Sequence, residues 1–491
     1  MRFWITIALT FVLSAVGLTY EIAAGRVLAP FFGTSLLTWT AVIATVLAGF
    51  SLGSALGGLI AERERRAAAG LVRMALVATA VLMALSPSAL GLVYAMGARG
   101  TGGMLVSVFL AFFPASVCVT LPSPFLAKAA VEARPGREGS SLGLVLASGS
   151  SGAILGAILA GFVALPLAGS TATFAGCGIV ALLCIFFVRG GRPGGGARAV
   201  KLGSEPQPGV VVGAAAFILF AGIAGGSTCR YESGLSCIHV VRDGDEVRLY
   251  SDGTLQAAER TVAEGDAGAS GDLALSYTRW LWARLDRDLG PAPSVLFVGG
   301  GGYTLPTKLL ESRPAARAVS VEIDPLITRV VEQHLPNAGD MIERTGHEVG
   351  GEGDGRLGIV HADGRVFLNG TERRFDAAVM DAFSSGSVPA HLVTRETYER
   401  LRTMVDGPVY VNLIDTPDGP LARGVHAILT ELYPHVRAVQ GSSTEGGRVN
   451  ILLAASREPL AALDALPDGY RPVSISPARA FTDDRGWVGH R

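Results

Sequence analysis

Charge is scarce in this 491-residue chain: 17% of residues are Asp, Glu, Lys or Arg and 49% are hydrophobic, which is too apolar for an ordinary soluble protein of this size. The charges that exist nearly cancel, to a formal −1, so no basic footprint is present and nucleic acid is not an expected partner. Cysteine is scarce as well, and the five cysteines show no metal-ligand spacing, so no metal site is expected. Cys118, Cys177 and Cys184 lie in apolar stretches, where they read as small buried hydrophobes. Cys229 and Cys237 in CRYESGLSC differ: they are close enough to close a small disulfide loop, which would persist only in an oxidising compartment. A signal-peptide cleavage site is missing too. The first apolar run continues to Glu21, which makes it a retained span.

The apolar excess sits before residue 230. Runs near the roughly 20 residues needed to cross a bilayer occur at 3–24, 36–60, 74–97, 103–127, 140–165, 171–188 and 209–226. Gly49, Gly53 and Gly57 repeat every fourth residue, as do Gly152 and Gly156, giving two helices a smooth face for a close neighbour. Glu21 and Arg26 are the charges to weigh in these spans, either facing a cavity or holding the membrane interface. Arg63, Arg65, Arg66 and Arg73, then Lys128, Arg134 and Arg137, then Arg189, Arg192, Arg198 and Lys201 fill alternate loops, which places those loops and the N-terminus in the cytoplasm. Residues 189–208 form a Gly/Pro/Arg-rich linker. The stretch 209–226 is a candidate seventh span. If it crosses, the chain beyond it lies outside the cytoplasm, as a Cys229–Cys237 disulfide would suit. Supply of a nucleoside co-substrate argues for the inside, and the sequence leaves the side open.

The second half of the chain is organised around SVLFVGGGGYTLPTKLLESRPAARAVSVEIDP. Val295 to Val298 reads as a buried strand, Gly299 to Gly302 as a tight turn, and a helix begins near Leu305. A second apolar strand, Ala318 to Val321, ends on Glu322, twenty positions after Gly302, where an acid at a parallel strand's tip meets a ribose. The glycines allow backbone N–H groups close to a nucleoside. Pro306 removes a donor that a pyrophosphate would use, so an adenosyl-sulfonium ligand fits better than a dinucleotide.

Around this centre, residues 227–275 make a small β unit, with a hairpin over Ile238 to Leu255 turning at Asp243 to Asp245, and 276–491 make the main domain. SYTRWLWARL predicts a helix from Ser276, and Asp324 with Pro325 caps a helix with Ile327, Val330, Val331 and Leu335 on its apolar face. Asn337 to Arg356 reads as a polar, glycine-rich loop. Strands come next at Leu357 to Val360, ending in HADG, at Ala377 to Met380, ending on Asp381, and at Val409 to Ile414. Ala438 to Gln440 and Val449 to Ala454 close the sheet as an antiparallel pair. Gly299 to Gly302, Glu322, Asp363 and Asp381 thus all fall at strand carboxyl ends, where such sheets bind ligands. A sulfonium donor needs no leaving-group activation. It needs an amine stripped of its proton and aligned, which a carboxylate at Asp381 can provide.

The series DGTLQ, VLFVGGGG, VEIDP, HADGRVFL, FDAAVMDAF and VPAHLVTRETYERL resembles the spermidine synthase (polyamine aminopropyltransferase) family. LSAVGLTYEIAAGRVLAPFFGTS and GFSLGSALGG resemble the multi-span region fused to some such domains, so the resemblance covers nearly the whole chain. It implies that Gln256, Gly299, Gly300, Gly301, Gly302, Glu322, Asp363 and Gly364 bind the donor, with Glu322 on the ribose and Asp363 near the adenine. It implies that Asp381 is the catalytic acid taking the amine proton and that Tyr277 lines the acceptor side. Gly302 replaces the aspartate of the family's glycine run, Ala382 to Ser384 lack its second aspartate, and Thr278 and Arg279 replace the His-Glu or Gln-Glu pair that follows the tyrosine.

The expected architecture is an α-helical membrane bundle of about seven spans followed by an α/β Rossmann-like domain of the class I methyltransferase type with a small β-hairpin unit before it. The expected function is a membrane-anchored, multi-pass transferase moving an aminopropyl group from decarboxylated S-adenosylmethionine, or a group from S-adenosylmethionine, to a small amine in polyamine biosynthesis, with no tightly bound cofactor. The bilayer is a partner, and a homo-oligomer is left open. Two alternatives stand: an S-adenosylmethionine-dependent methyltransferase, for which Arg279 offers a carboxylate partner, and a nucleoside-binding polyamine transporter or sensor.

Overall fold

The computed structural model describes residues 2–32, 36–189, 206–224, 229–260, 273–348, 355–382, 388–441, 447–467 and 469–485. Most of the expected linker 189–208, with Arg192, Arg198 and Lys201, lies outside them, as do the residues at 383–387 after Asp381 and Ala382. The chain divides into two compact units, Met1–Gly234 and Leu235–Arg491.

The first unit is helical: α1 (Phe3–Phe32), α2 (Leu36–Ala61), α3 (Arg65–Ala95), α4 (Gly100–Thr120), α5 (Pro122–Glu132), α6 (Glu138–Leu159), α7 (Leu165–Leu183) and α8 (Pro208–Ala224). Among the described residues, five helical stretches are long and apolar enough to cross a membrane, the last running from Glu138 to Phe187 through a π-turn at Ala160–Ala164. The small-residue faces pack as their spacing predicts. A Cβ on Gly53 would lie 2.2 Å from the carbonyl oxygen of Val117 on α4, and one on Gly152 would lie 2.1 Å from that of Phe11 on α1. Inside the bundle Tyr20 is fully buried, its ring edge-on to Phe174 and its hydroxyl 2.7 Å from Ser86 Oγ, which donates to the carbonyl of Ala111. Glu21 and Arg26 are 9% and 8% exposed, within the helical unit rather than reaching out from it.

The second unit begins with an antiparallel sheet of β1 (Cys237–Asp243), β2 (Glu246–Ser251) and β3 (Thr254–Arg260). The expected hairpin therefore carries a further strand. Asp252 and Gly253, with φ of 46° and 77°, make a second tight turn, so Gln256 lies within a strand and not at a hairpin's end. Then come α9 (Ser276–Asp288), β4 (Ser294–Val298), α10 (Thr304–Ser312), β5 (Arg317–Glu322), α11 (Pro325–His334), α12 (Pro336–Thr345), β6 (Gly346–Glu348), β7 (Leu357–His361), α13 (Gly364–Gly370), β8 (Ala377–Met380), α14 (Arg395–Met404), β9 (Val409–Asp415), α15 (Pro420–Leu432), β10 (His435–Gln440), β11 (Val449–Ser456) and β12 (Arg471–Pro472). They form one sheet ordered β12-β10-β11-β9-β8-β4-β5-β7-β6. The block from β9 to β6 is parallel, and β11 pairs antiparallel with both β9 and β10. This is the Rossmann-like arrangement expected: β4, central and apolar, is flanked by β5 and β8, where the order reverses.

Part of the expected loop 337–356 is helix α12. Pro336 opens it, Ala338, Met341 and Ile342 bury one stripe, and the Glu259 carboxylate on β3 accepts from Asn337 N at 3.0 Å and Ala338 N at 3.1 Å. A cap from a distant strand leaves no local signature, which is why the sequence reads as loop. Burial, outweighing these two donors, pushes Glu259 up to about 7. A raised carboxylate pKa means the folded state binds the extra proton between the unfolded value, about 4.3, and about 7. Glu259 should therefore lower stability progressively as pH rises through that window. Thermal melts from pH 4.5 to 7.5 should show a flatter pH dependence for Glu259→Gln than for the native chain, and identical slopes would remove this assignment.

Candidate functional site

The site forms where the central strand ends. Gly299 leaves β4 with φ of 106°, and a Cβ there would stand 2.2 Å from the Asp381 carbonyl oxygen, so only glycine lets the tips of β4 and β8 close up. Gly299 N donates to Val321 O and Asp381 N to Val298 O, both at 2.9 Å, tying the ends of β5, β4 and β8 together. Tyr303, at φ of 55°, then turns the chain into α10. A bulky residue in the left-handed region is strained. Here the buried ring goes beneath the glycine loop, with its hydroxyl 2.6 Å from Thr328 Oγ1, which lies 2.9 Å from His361 Nε2.

Glu322, at the tip of β5, is buried and faces this loop. Its Oε2 accepts from Gly300 N at 2.9 Å and Gly301 N at 3.2 Å, and its Oε1 from Asp324 N at 2.9 Å. Burial raises its pKa against those three donors. A carboxylate has about four acceptor positions, so three backbone bonds leave capacity for a hydroxyl. Gln256 on β3 stands over the same loop: its carbonyl oxygen is 3.8 Å from where a Gly301 Cβ would be. A Cβ on Gly302 would lie 2.1 Å from Ala257 Cβ, so an aspartate cannot replace this glycine without moving β3.

Asp363, at the tip of β7, is already engaged. Its Oδ1 caps α13, accepting from Arg365 N at 2.8 Å and Val366 N at 3.2 Å, and His391 Nε2 is 2.8 Å from Oδ2. Burial works to raise its pKa, but His391 and the two N–H groups outweigh it and hold Asp363 below the usual range. Gly364 packs on the central strand, where a Cβ would come within 2.7 Å of Val298 Cγ1.

At the tip of β8, the Asp381 carboxylate accepts from the Tyr277 hydroxyl on α9 and, through Oδ1, from Asn412 Nδ2 at 2.9 Å. Asn412 Oδ1 accepts in turn from Asn450 Nδ2 at 3.0 Å. Burial pushes Asp381 up to about 6 against both donors. Tyr277 is raised well above its ordinary value by burial and by Asp381, so it stays a protonated donor at neutral pH. Tyr470 adds to this side, hydrogen-bonded to Ser276 and close to the exposed Arg279.

The glycine loop, Gln256, Glu322, Asp381 and Tyr277 thus converge on the end of one strand, while the carboxylate of Asp363 is committed to a helix cap and His391. Asn412, Asn450 and Tyr470 were missed by sequence reasoning. Asn412 did leave a signal, as the one amide in the buried run VYVNLID, 3% exposed. Asn450 and Tyr470 left none, because they meet the site only through strand pairing and a distant loop.

This arrangement defines a Rossmann-like α/β domain whose candidate site lies at the carboxyl ends of its parallel strands. No family model matches the chain. It is similar to polyamine aminopropyltransferase 1 of Pseudomonas aeruginosa, with 29% identity over 129 residues, 26% of this chain and 42% of that protein. It is also similar to the polyamine aminopropyltransferase of Vibrio vulnificus, with 31% identity over 110 residues, 22% of this chain and 32% of the relative. The resemblance carried by the motifs is therefore met by relatives of that name, although the chain spans only about a third to two fifths of their length. Among solved structures, a probable spermidine synthase from Corynebacterium glutamicum aligns with TM-score 0.42 and 20% identity over 52% of this chain and 95% of that one. Human methyltransferase-like protein 13, in complex with SAH, aligns with TM-score 0.29 and 21% identity over 40% and 86%.

The Asn412 contact generates a prediction that needs no substrate. A hydrogen bond to a charged group contributes roughly 1.5 to 3 kcal/mol, or about one to two pH units of carboxylate titration. Carbon-13 NMR of the Asp381 carboxyl should give a midpoint near 6 in the native chain and a higher one in Asn412→Leu. An unmoved midpoint would mean that Asn412 does not hold the carboxylate.

Proposed function

We propose that the chain is a membrane-anchored aminopropyltransferase that moves the aminopropyl group of decarboxylated S-adenosylmethionine to a small amine, as in polyamine biosynthesis. The observation that carries the reading is the pair of carboxylates on the two strand tips that flank the central β4: Glu322 facing the glycine loop and Asp381 held by Tyr277 and Asn412. In this reading Gly299 to Gly302 and Gln256 line the adenosyl side, Glu322 takes ribose hydroxyls, and Gly364 and Asp363 bound the adenine side. The acceptor amine lies between Tyr277 and Asp381.

The chemistry balances without a further reactant. The acceptor arrives as an ammonium and is drawn to the Asp381 carboxylate, which accepts one proton. The freed nitrogen lone pair attacks the aminopropyl carbon bonded to sulfur, the C–S bond breaks, and its electron pair neutralises the sulfonium as a thioether. With a pKa near 6, Asp381 is ionised at neutral pH and closer in basicity to an amine's proton than an ordinary aspartate is. Tyr277 and Asn412 hold it in place. No acid is needed for the leaving group.

A second reading, methyl transfer from S-adenosylmethionine, is favoured by one observation. Gly302 has no room for a carboxylate against Ala257, so the loop lacks a charged partner for the donor's amine there, and Arg279 offers a cation nearby. The anchor in either reading is a bundle of about seven crossings, α1, α2, α3, α4 with α5, α6, α7 and α8.

Asp381→Asn should lower turnover by roughly 10²- to 10⁴-fold, the usual size of a general-base contribution, and leave donor affinity unchanged in calorimetry. Glu322→Ala should do the reverse. The loss of charge-assisted hydrogen bonds worth roughly 1.5 to 3 kcal/mol weakens the donor about 10- to 150-fold. Near-normal turnover of Asp381→Asn with amine acceptors would sink the catalytic assignment and favour a sensor or transporter that binds the nucleoside without reaction.

A further inference from the structure

We infer that α8 carries the chain across the bilayer, so that the nucleoside-binding unit begins on the extracytoplasmic side. The two ends of the helical unit differ in charge. At the end holding the start of α1, the Arg134 guanidinium covers the Phe3 ring at 3.5 Å, Arg65 pairs with Glu132 at 3.3 Å, Lys128 Nζ donates to Ala61 O at 2.7 Å, and Arg73 donates to Val188 O at 2.7 Å. These contacts draw together the chain's start, the α2–α3 turn, the end of α5 and the end of α7. Arg63, Arg66, Arg137 and Arg189 belong to the same turns. At the other end Phe31 and Phe32 pack on Tyr94, and Arg99 is the one cation of its connection. The excess of Arg and Lys marks the α1 end as cytoplasmic.

The paths of α6 and α7 show which end Glu232 occupies. Ser148 Oγ donates to Ile7 O and Thr19 Oγ1 to Gly156 O, so α6 rises parallel to α1 from the cytoplasmic end. After Gly169, at φ of 76°, α7 descends: Cys177 lies against Val16, while Leu182 and Cys184 join the cluster of Leu9 and Leu13. At about 1.5 Å per residue the stretch from Ser170 to Val188 covers about 27 Å, close to the ~30 Å of a hydrocarbon core. Ser170 therefore stands at the far end. The Glu232 carboxylate caps the descending helix there, accepting from Ser170 N at 3.0 Å and from Ser170 Oγ.

Glu232 comes eight residues after the end of α8 at Ala224. α8 buries Ala214 and Ile218 in the cluster of Ala68, Val72 and Leu76, and its 17 residues span about 25 Å, shorter than the five long apolar stretches and short of a ~30 Å core by a distance that the chain length between Ala224 and Glu232 can supply. Three residues after Glu232, at Leu235, the second unit begins. Cys229 and Cys237 lie close enough in the sequence to close a small loop, and a disulfide there would persist only in an oxidising compartment. Charge asymmetry and the Glu232 cap agree on the side. One consequence is a place in a reaction sequence: an adenosyl-sulfonium donor is made inside the cell, so a transport step must deliver it before this unit can act.

The test uses the full chain, expressed in a bacterial inner membrane with alkaline phosphatase or green fluorescent protein after Arg491. The inference expects an active phosphatase and a dark fluorescent protein. On intact spheroplasts, a membrane-impermeant maleimide should label Cys229 and Cys237 only after reductant, with Cys229→Ser/Cys237→Ser as the blank. A fluorescent fusion with an inactive phosphatase, or thiols that only a permeant reagent reaches, would overturn it. Donor binding by the detergent-purified chain does not depend on sidedness, so this inference and the proposed activity can fail separately.

Discussion

The carboxyl ends of β4 and β8 meet so closely that a single Cβ at Gly299 would collide with the carbonyl of Asp381. The rest of the site depends on that approach. It places the glycine loop, whose N–H groups are held by Glu322, beside the one carboxylate held by a phenol and an amide. In the proposed reading, a donor on the loop and an acceptor at Asp381 are then neighbours without any large motion. Alanine at Gly299 would have to separate two buried central strands, which the dense packing of such cores resists.

The same approach explains how the two carboxylates differ. Glu322 is surrounded by backbone donors and serves as an acceptor, whereas among the described residues the donors to the Asp381 carboxylate are the side chains of Tyr277 and Asn412, and burial leaves it near 6. Proximity of a binding acid to a basic one, set apart by what hydrogen-bonds each, is a recurring way for one sheet edge to hold a ligand and move a proton. The Asn412–Asn450 pair extends the second environment across three strands and restrains the carboxylate's rotation.

Much of this was legible in the sequence. Four apolar residues running straight into four glycines, with an acid at the next strand's tip, have few structural meanings, and Glu322 and Asp381 stand where that pattern put them. Gly53 and Gly152 likewise announced close helix contacts, because a four-residue repeat of small side chains marks one face of a helix. What was not legible came from long-range pairing. The cap that Glu259 gives α12, the amide chain behind Asp381 and the engagement of Asp363 by His391 join residues far apart in sequence, and no local spacing encodes them. The break at Gly169 and its cap by Glu232 were hidden for the same reason.

The central claim is that the group transferred is aminopropyl and that Asp381 receives the amine's proton. The most direct measurement is product mass after incubating the purified full chain with a diamine and either decarboxylated or intact S-adenosylmethionine. The account predicts methylthioadenosine and an amine lengthened by an aminopropyl group, formed from the decarboxylated donor. S-adenosylhomocysteine and a methylated acceptor, formed from the intact donor, would contradict it.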